Sequence, residues 1–216
     1  MKNSLKQILN DSSTIFFDFD GVIKDSVDIK TSAFKELFSI YDQNIVDLIE
    51  DHHQENGGLS RFDKIPLYLS WAGESVIKKN IDKYCQKFSM LVMQSVIDSS
   101  WVPGVCQFIK SNYDKKNFII VTATPQDEID EILKKLDISD FFIAVYGSPV
   151  SKDDALISAL IDFNIDQSKA IMIGDSYSDY DAAKKNNLFF ALRRTNLNHA
   201  LQSNFLCFMF NDFNDE

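Results

Sequence analysis

Short apolar and aromatic runs recur along the chain, each closing on polar or small residues. They are Thr14 to Phe19 (TIFFDF), Asn117 to Thr122 (NFIIVT), Phe141 to Tyr146 (FFIAVY), Ala170 to Ile173 (AIMI), Leu188 to Leu192 and Leu206 to Phe210. Runs of this length bounded by turn signals read as buried strands. After Trp101 they alternate with helical patterns. Ile129, Ile132, Leu133 and Leu136 fall on one helical stripe, and Ala155, Leu156, Ala159 and Leu160 on another. The alternation predicts an α/β fold with a doubly wound, Rossmann-like, mostly parallel sheet covered on both faces.

Residues 27–100 follow a different pattern, with no convincing strand. Ala33, Phe34, Leu37, Phe38 and Tyr41 make one helical stripe, and Val76, Ile77, Ile81, Tyr84, Cys85, Phe88, Leu91 and Val92 a longer one. Between them, Gly57-Gly58 precedes Ser60 with Asp63 three residues on, a capping-box signal for a new helix in which Pro66 should introduce a kink. The expected organisation is an α/β core of residues 1–26 and 101–216, split after its first strand by an all-helical insertion, 27–100. Trp101-Val102-Pro103-Gly104 marks the return.

Composition narrows the function classes. A chain of 216 residues, 45% hydrophobic and 25% charged, buries a real core without a staple. Its net charge of −10 repels nucleic acid and anionic membranes, and no basic cluster offsets it. Any anionic ligand therefore needs a local cation. Cys85, Cys106 and Cys207 form no CxxC pair and read as free thiols; with no apolar leader at the N-terminus and no run of membrane-spanning length, a cytoplasmic protein is expected.

Four features fall at or just beyond the C-terminal ends of the expected strands. Asp18-Phe19-Asp20-Gly21-Val22 follows the first. Strand alternation puts both carboxylates on one side, where they repel unless a cation such as Mg²⁺ lies between them; the other reading is a strand end with solvated acids. Gly174-Asp175-Ser176-Tyr177-Ser178-Asp179 follows AIMI and offers more carboxylates, or simply a helix N-cap. Thr122, in Val121-Thr122-Ala123-Thr124, offers a hydroxyl at another strand end, and Lys152 follows a fourth strand. Ligands bind at this edge of open α/β sheets.

In order and spacing these segments resemble the four motifs of the haloacid dehalogenase-like hydrolase superfamily. DFDGV matches the first, VTAT the second, Lys152 the third and GDSYSD the fourth. The helical insertion resembles the cap of the phosphoglycolate phosphatase and β-phosphoglucomutase branch. The resemblance implies that Asp18 attacks phosphorus, and that Asp20 protonates the leaving alcohol and then activates water. Mg²⁺ would be held by Asp18, Asp20 (through its main-chain carbonyl), Asp175 and Asp179. Thr122, Ala123 and Lys152 would bind the phosphoryl group.

Gly57-Gly58-Leu59-Ser60-Arg61 resembles the specificity loop of the mutase, which points Arg61 and Gly58 at the substrate. Lys30 stands where the mutase resemblance places a histidine, which favours hydrolysis over phosphoryl shuttling; it is expected as a second cap-side cation toward the substrate, the other reading being a solvent-facing helix residue. His52 and His53 have no partner at metal spacing and are expected at the surface or at a hinge. The expected protein is a phosphatase of a small phosphorylated metabolite, a monomer or weak homodimer. A phosphomutase and a non-catalytic phosphate-binding protein are the alternatives.

Overall fold

The computed structural model describes residues 4–215. Helix α1 (Leu5–Asp11) leads into β1 (Thr14–Phe17), and the chain then runs through α2 (Val27–Leu37), α3 (Gln43–Glu55), α4 (Arg61–Trp71) and α5 (Lys78–Asp98). After α6 (Val105–Asn112), strand and helix alternate: β2 (Asn117–Pro125), α7 (Gln126–Lys135), β3 (Ala144–Ser148), α8 (Lys152–Asp162), β4 (Ala170–Gly174), α9 (Tyr177–Lys185), β5 (Phe189–Arg193), α10 (His199–Asn204) and β6 (Phe208–Phe210). The six strands form one sheet in the order β3-β2-β1-β4-β5-β6, every pairing parallel.

Period-two alternation gives each strand two buried faces. Phe17, Ile120 and Ile173 face one apolar layer with Ile109, Ile129 and Leu133 of the covering helices. Phe16, Val121 and Met172 face the other, against Leu156, Ala159 and Ala183. The strand expected from Phe141 begins only at Ala144, because Ser139–Phe141 closes a 3₁₀ turn after α7.

The helical segment leaves the sheet and returns to it along paired backbones. Asp25 N–H donates to the Ser100 carbonyl (2.9 Å) and Val102 N–H to that of Ile23 (3.0 Å). Its own core is aromatic, with Phe34 against Phe88 (4.1 Å) and Tyr68 (5.3 Å), and it is continuous with the first layer of the sheet. Val76 and Ile77 precede α5 and are exposed, so the long stripe starts later than its apolar spacing suggests. Ser60 caps α4 through Phe62 N–H instead of forming a capping box with Asp63, and Pro66 lies inside that helix. No helix among the described residues is long and apolar enough to cross a membrane.

Candidate active site

The strand order leaves β1 between β2 and β4, so the segments after these three strands converge. Asp18 continues the ladder, its N–H donating to the Ile173 carbonyl (2.9 Å), and Phe19 N–H donates to Asp18 Oδ1 (2.7 Å). The chain then turns sharply, with Ile23 and Lys24 N–H on the Phe19 carbonyl and Gly21 at φ 77°. A side chain at Gly21 would come within 2.1 Å of Asp175 Oδ2, so only glycine lets this turn pass the carboxylate.

Asp18, Asp175 and Asp179 bring one carboxylate oxygen each within 4.8 Å of one another. Lys152, at the first turn of α8, donates to Asp18 Oδ2 (2.8 Å) and Asp179 Oδ1 (2.5 Å). Asp179 Oδ2 also accepts from Ser176 N–H (3.1 Å) and Ser176 Oγ (2.5 Å). Burial, then the charge of Asp179, pushes the Asp18 carboxyl up to about 7 against the pull of Lys152. Burial, then Asp18 and Asp179, pushes Asp175 well above the usual carboxylate range. Three clustered carboxylates, two buried and one half-buried, with one ammonium bridging two of them are short of positive charge, and oxygen-only donors suit a hard divalent cation.

Asp20 lies apart from this cluster. β1 ends at Phe17 and the chain turns, so the Asp20 carboxylate lies outside the three-carboxylate group, although its charge still adds to the upward push on Asp18. The Asp20 carboxylate instead meets Lys30, Ser26 Oγ (2.6 Å) and Thr124 Oγ1 (3.0 Å). Burial pushes it up, but the Lys30 ammonium and these hydrogen bonds more than reverse that, leaving it below its usual value. Thr122 is buried and its Oγ1 accepts from Thr124 N–H (3.2 Å); Ala123 lines the cavity beside it.

A cavity of about 570 Å³ lies between these groups and the helical segment, lined by Asp18, Asp20, Thr122 and Asp175 below and by Lys30, His53 and Lys64 above. The loop Gly57–Arg61 is seated on the sheet side. Ser178 Oγ donates to the Gly58 carbonyl (3.1 Å), and Ser60 Oγ meets Ser148 Oγ (2.8 Å). A Cβ on Gly58 would stand 2.0 Å from Ser178 Oγ.

Arg61 makes a buried bidentate pair with Glu128 of α7 (2.7 and 2.9 Å) and donates to Ser89 Oγ (2.6 Å). Three of its five N–H bonds are thus engaged by protein, while the residue also lines the cavity. His53, expected at the surface or a hinge, is buried, and so is Lys64 beside it, a residue that no motif marks. Both were visible as extensions of apolar stripes: Val46, Ile49 and His53 on α3, and Lys64, Tyr68 and Leu69 on α4.

The sequence matches the family model for haloacid dehalogenase-like hydrolases over residues 15–192. The chain belongs to the haloacid dehalogenase-like hydrolase family. Among curated relatives it is 27% identical over 178 residues to a phosphorylated carbohydrates phosphatase of Thermotoga maritima, spanning 79% of each chain. It is 24% identical over 195 residues to a phosphoglycolate phosphatase of Colwellia psychrerythraea, spanning 83% of each. Its fold superposes on that of a CbbY variant from Rhodobacter sphaeroides bound to xylulose-(1,5)bisphosphate, with a TM-score of 0.76 at 15% identity over 94% of this chain and 95% of the other.

Proposed function

We propose that this family member is a Mg²⁺-dependent phosphatase that hydrolyses a small phosphate monoester, a sugar phosphate or phosphoglycolate-like acid, through an aspartyl-phosphate on Asp18. The observation that carries this reading is the division of labour between two aspartates two residues apart. Asp18 sits in the acidic cluster against Lys152, and Asp20 sits outside it against Lys30 and Thr124, both facing one cavity. The relatives' activities point the same way.

Asp18, Asp175, Asp179 and the Asp20 carbonyl would hold Mg²⁺, which supplies charge stabilisation at the phosphoryl oxygens. Asp18 Oδ attacks phosphorus in line with the ester oxygen, and Asp20 gives that oxygen its proton as the bond breaks. Asp20 then takes a proton from water, whose oxygen attacks phosphorus and releases Asp18. Lys30 holds Asp20 as a carboxylate, the form the second half requires. The arriving phosphoryl dianion favours its protonation for the first half. Thr122 and the amide following it hold phosphoryl oxygens, Lys152 neutralises charge beside Asp18, and helices α2–α5 act as the cap that excludes water.

Turnover of an aryl phosphate tests the reading. Chelation is expected to abolish it and Mg²⁺ to restore it, and Asp18→Asn is expected to lower it by about 10⁴-fold or more. Full activity in excess chelator, or a phosphorylated residue in Asp18→Asn, would sink the proposal.

A further inference from the structure

Among the described residues, the roof of the cavity holds one cluster that the proposed chemistry leaves unused. Lys64 is 1% exposed, and its Nζ makes one hydrogen bond, to His53 Nδ1 (2.8 Å). No described carboxylate lies within salt-bridge distance of it, unlike Lys30 on Asp20, Lys152 on Asp18 and Asp179, and Arg61 on Glu128. His53 Nε2 is buried with no hydrogen-bond partner among the described residues. Both side chains line the cavity whose floor carries Asp18 and Thr122.

A buried ammonium without a counter-ion costs several kcal/mol, and an orphaned ring nitrogen adds to that cost. In the tautomer in which a charged Lys64 donates to Nδ1, the imidazole carries its hydrogen on Nε2. The pair then offers only donors: that N–H and the two remaining Lys64 N–H bonds. A donor-only pair in a buried cavity is complemented by an acceptor that also carries negative charge. Phe34, 4.9 Å from the His53 ring, and Phe88 wall the same space; Asp51, Gln54 and Glu55 of α3 also line the cavity, but none of them hydrogen-bonds Lys64 or His53. Burial, then the charge of Lys30, pushes the Lys64 ammonium well below its usual range, and an anion at this point would reverse that push.

We propose that Lys64 and His53 are specificity-determining residues that bind a second anionic group of the substrate, a carboxylate or second phosphate remote from the ester being cleaved. The proposal rests on the phosphatase reading for its first group and on the unpartnered roof for its second. It assigns to Lys64 the contact that the mutase resemblance directs to Arg61, whose charge is already paired with Glu128.

Two matched probe pairs test it with the full chain and Mg²⁺: 2-phosphoglycolate against 2-hydroxyethyl phosphate, and fructose 1,6-bisphosphate against fructose 1-phosphate. In Lys64→Gln, which keeps a donor for His53 but no charge, the ratio of kcat/KM for the anionic to the neutral member should fall. The expected fall is about 10–100-fold in at least one pair, carried mainly by KM. The pair that responds identifies the anion. Lys64→Met, which fills the volume without a polar group, should do the same and serves if the glutamine variant fails to fold. Ratios unchanged in both pairs, or equal losses in both members through kcat, would overturn the assignment.

Calorimetry on Asp18→Asn separates this from the reaction itself. Binding of an anionic probe that weakens on adding Lys64→Gln supports the roof site even if no probe is hydrolysed by the native chain, an outcome that would remove only the phosphatase reading. Binding indifferent to Lys64 removes the roof site alone.

Discussion

On the sheet side of the cavity, Asp18, Asp175 and Asp179 crowd around one ammonium, Lys152. On the helical side, Lys30, Arg61 and Lys64 approach with only Asp20 and Glu128 as carboxylate partners. The floor is thus short of positive charge, while on the roof, which Asp51 and Glu55 also line, it is the Lys64–His53 corner that lacks a carboxylate partner. In the proposed reaction a phosphate ester, with a metal ion beneath it, would lie between the acidic cluster and this corner. In a chain of net charge −10, Lys30, Arg61 and Lys64 bring three cations to the helical side of this cavity, beside Asp51 and Glu55.

The sharpest test of the floor is Asp20→Asn, which keeps the nucleophile and removes the proton carrier. Turnover of an alkyl phosphate should fall by about 10²–10⁴-fold, with a smaller loss in the phosphorylation of Asp18 by an aryl phosphate, whose leaving group needs no proton. Equal losses for the two leaving groups would place Asp20 elsewhere in the mechanism.

Next in size is the seam between roof and floor. Arg61→Ala leaves Glu128 buried and unpaired, at a cost of about 3–5 kcal/mol, or a Tm lower by roughly 6–20 °C for a chain of this size. Arg61→Met combined with Glu128→Leu should recover most of that loss. A normal Tm with a selective rise in KM for anionic substrates would instead return Arg61 to the substrate.

The smallest effect concerns protons and metal on the floor. Asp18 is pushed up to about 7 and Asp175 well above the usual range, whereas both fall near 4 in the unfolded chain. The metal-free fold therefore loses stability as pH rises from about 4 through 7, when these carboxyls must ionise against one another. Mg²⁺ at about 100 times its Kd should stabilise by about 2.7 kcal/mol, a Tm gain of roughly 5–11 °C. The gain should be larger at pH 8 than at pH 5, where protons compete for the same oxygens; thermal melts with equal gains would count against the acidic cluster as the metal site.

Much of the floor was legible because strand ends are local features. An apolar run followed by Asp18 or Asp175 marks a C-terminal strand edge whatever the rest of the chain does. Alternation failed only where the strand itself stopped, so the separate surroundings of Asp20 and its pairing with Lys30 could not be read from a period of two. The roof was harder, since its partners come from different helices. Lys30, His53, Lys64 and Glu128 lie on α2, α3, α4 and α7, and no spacing in one helix announces the others. Helical periodicity did hold the clue that His53 and Lys64 face inward. A charged residue on an apolar stripe was easily passed over as solvated, and burial is what separates the two cases.

The register of β1 also governs the order in which the molecule can be assembled. Thr14 pairs with Asn117 on one side and with Ala170 on the other. At about 5–20 residues per second of synthesis, β1 waits roughly 5–20 s for its first neighbour and longer for its second. Through that interval the aromatic segment Ile15-Phe16-Phe17 has no sheet to enter, while the helical segment is already complete and able to pack locally. The strand that leads to Asp18 is made early and satisfied late, which makes the nascent chain, more than the finished one, dependent on whatever shields that segment.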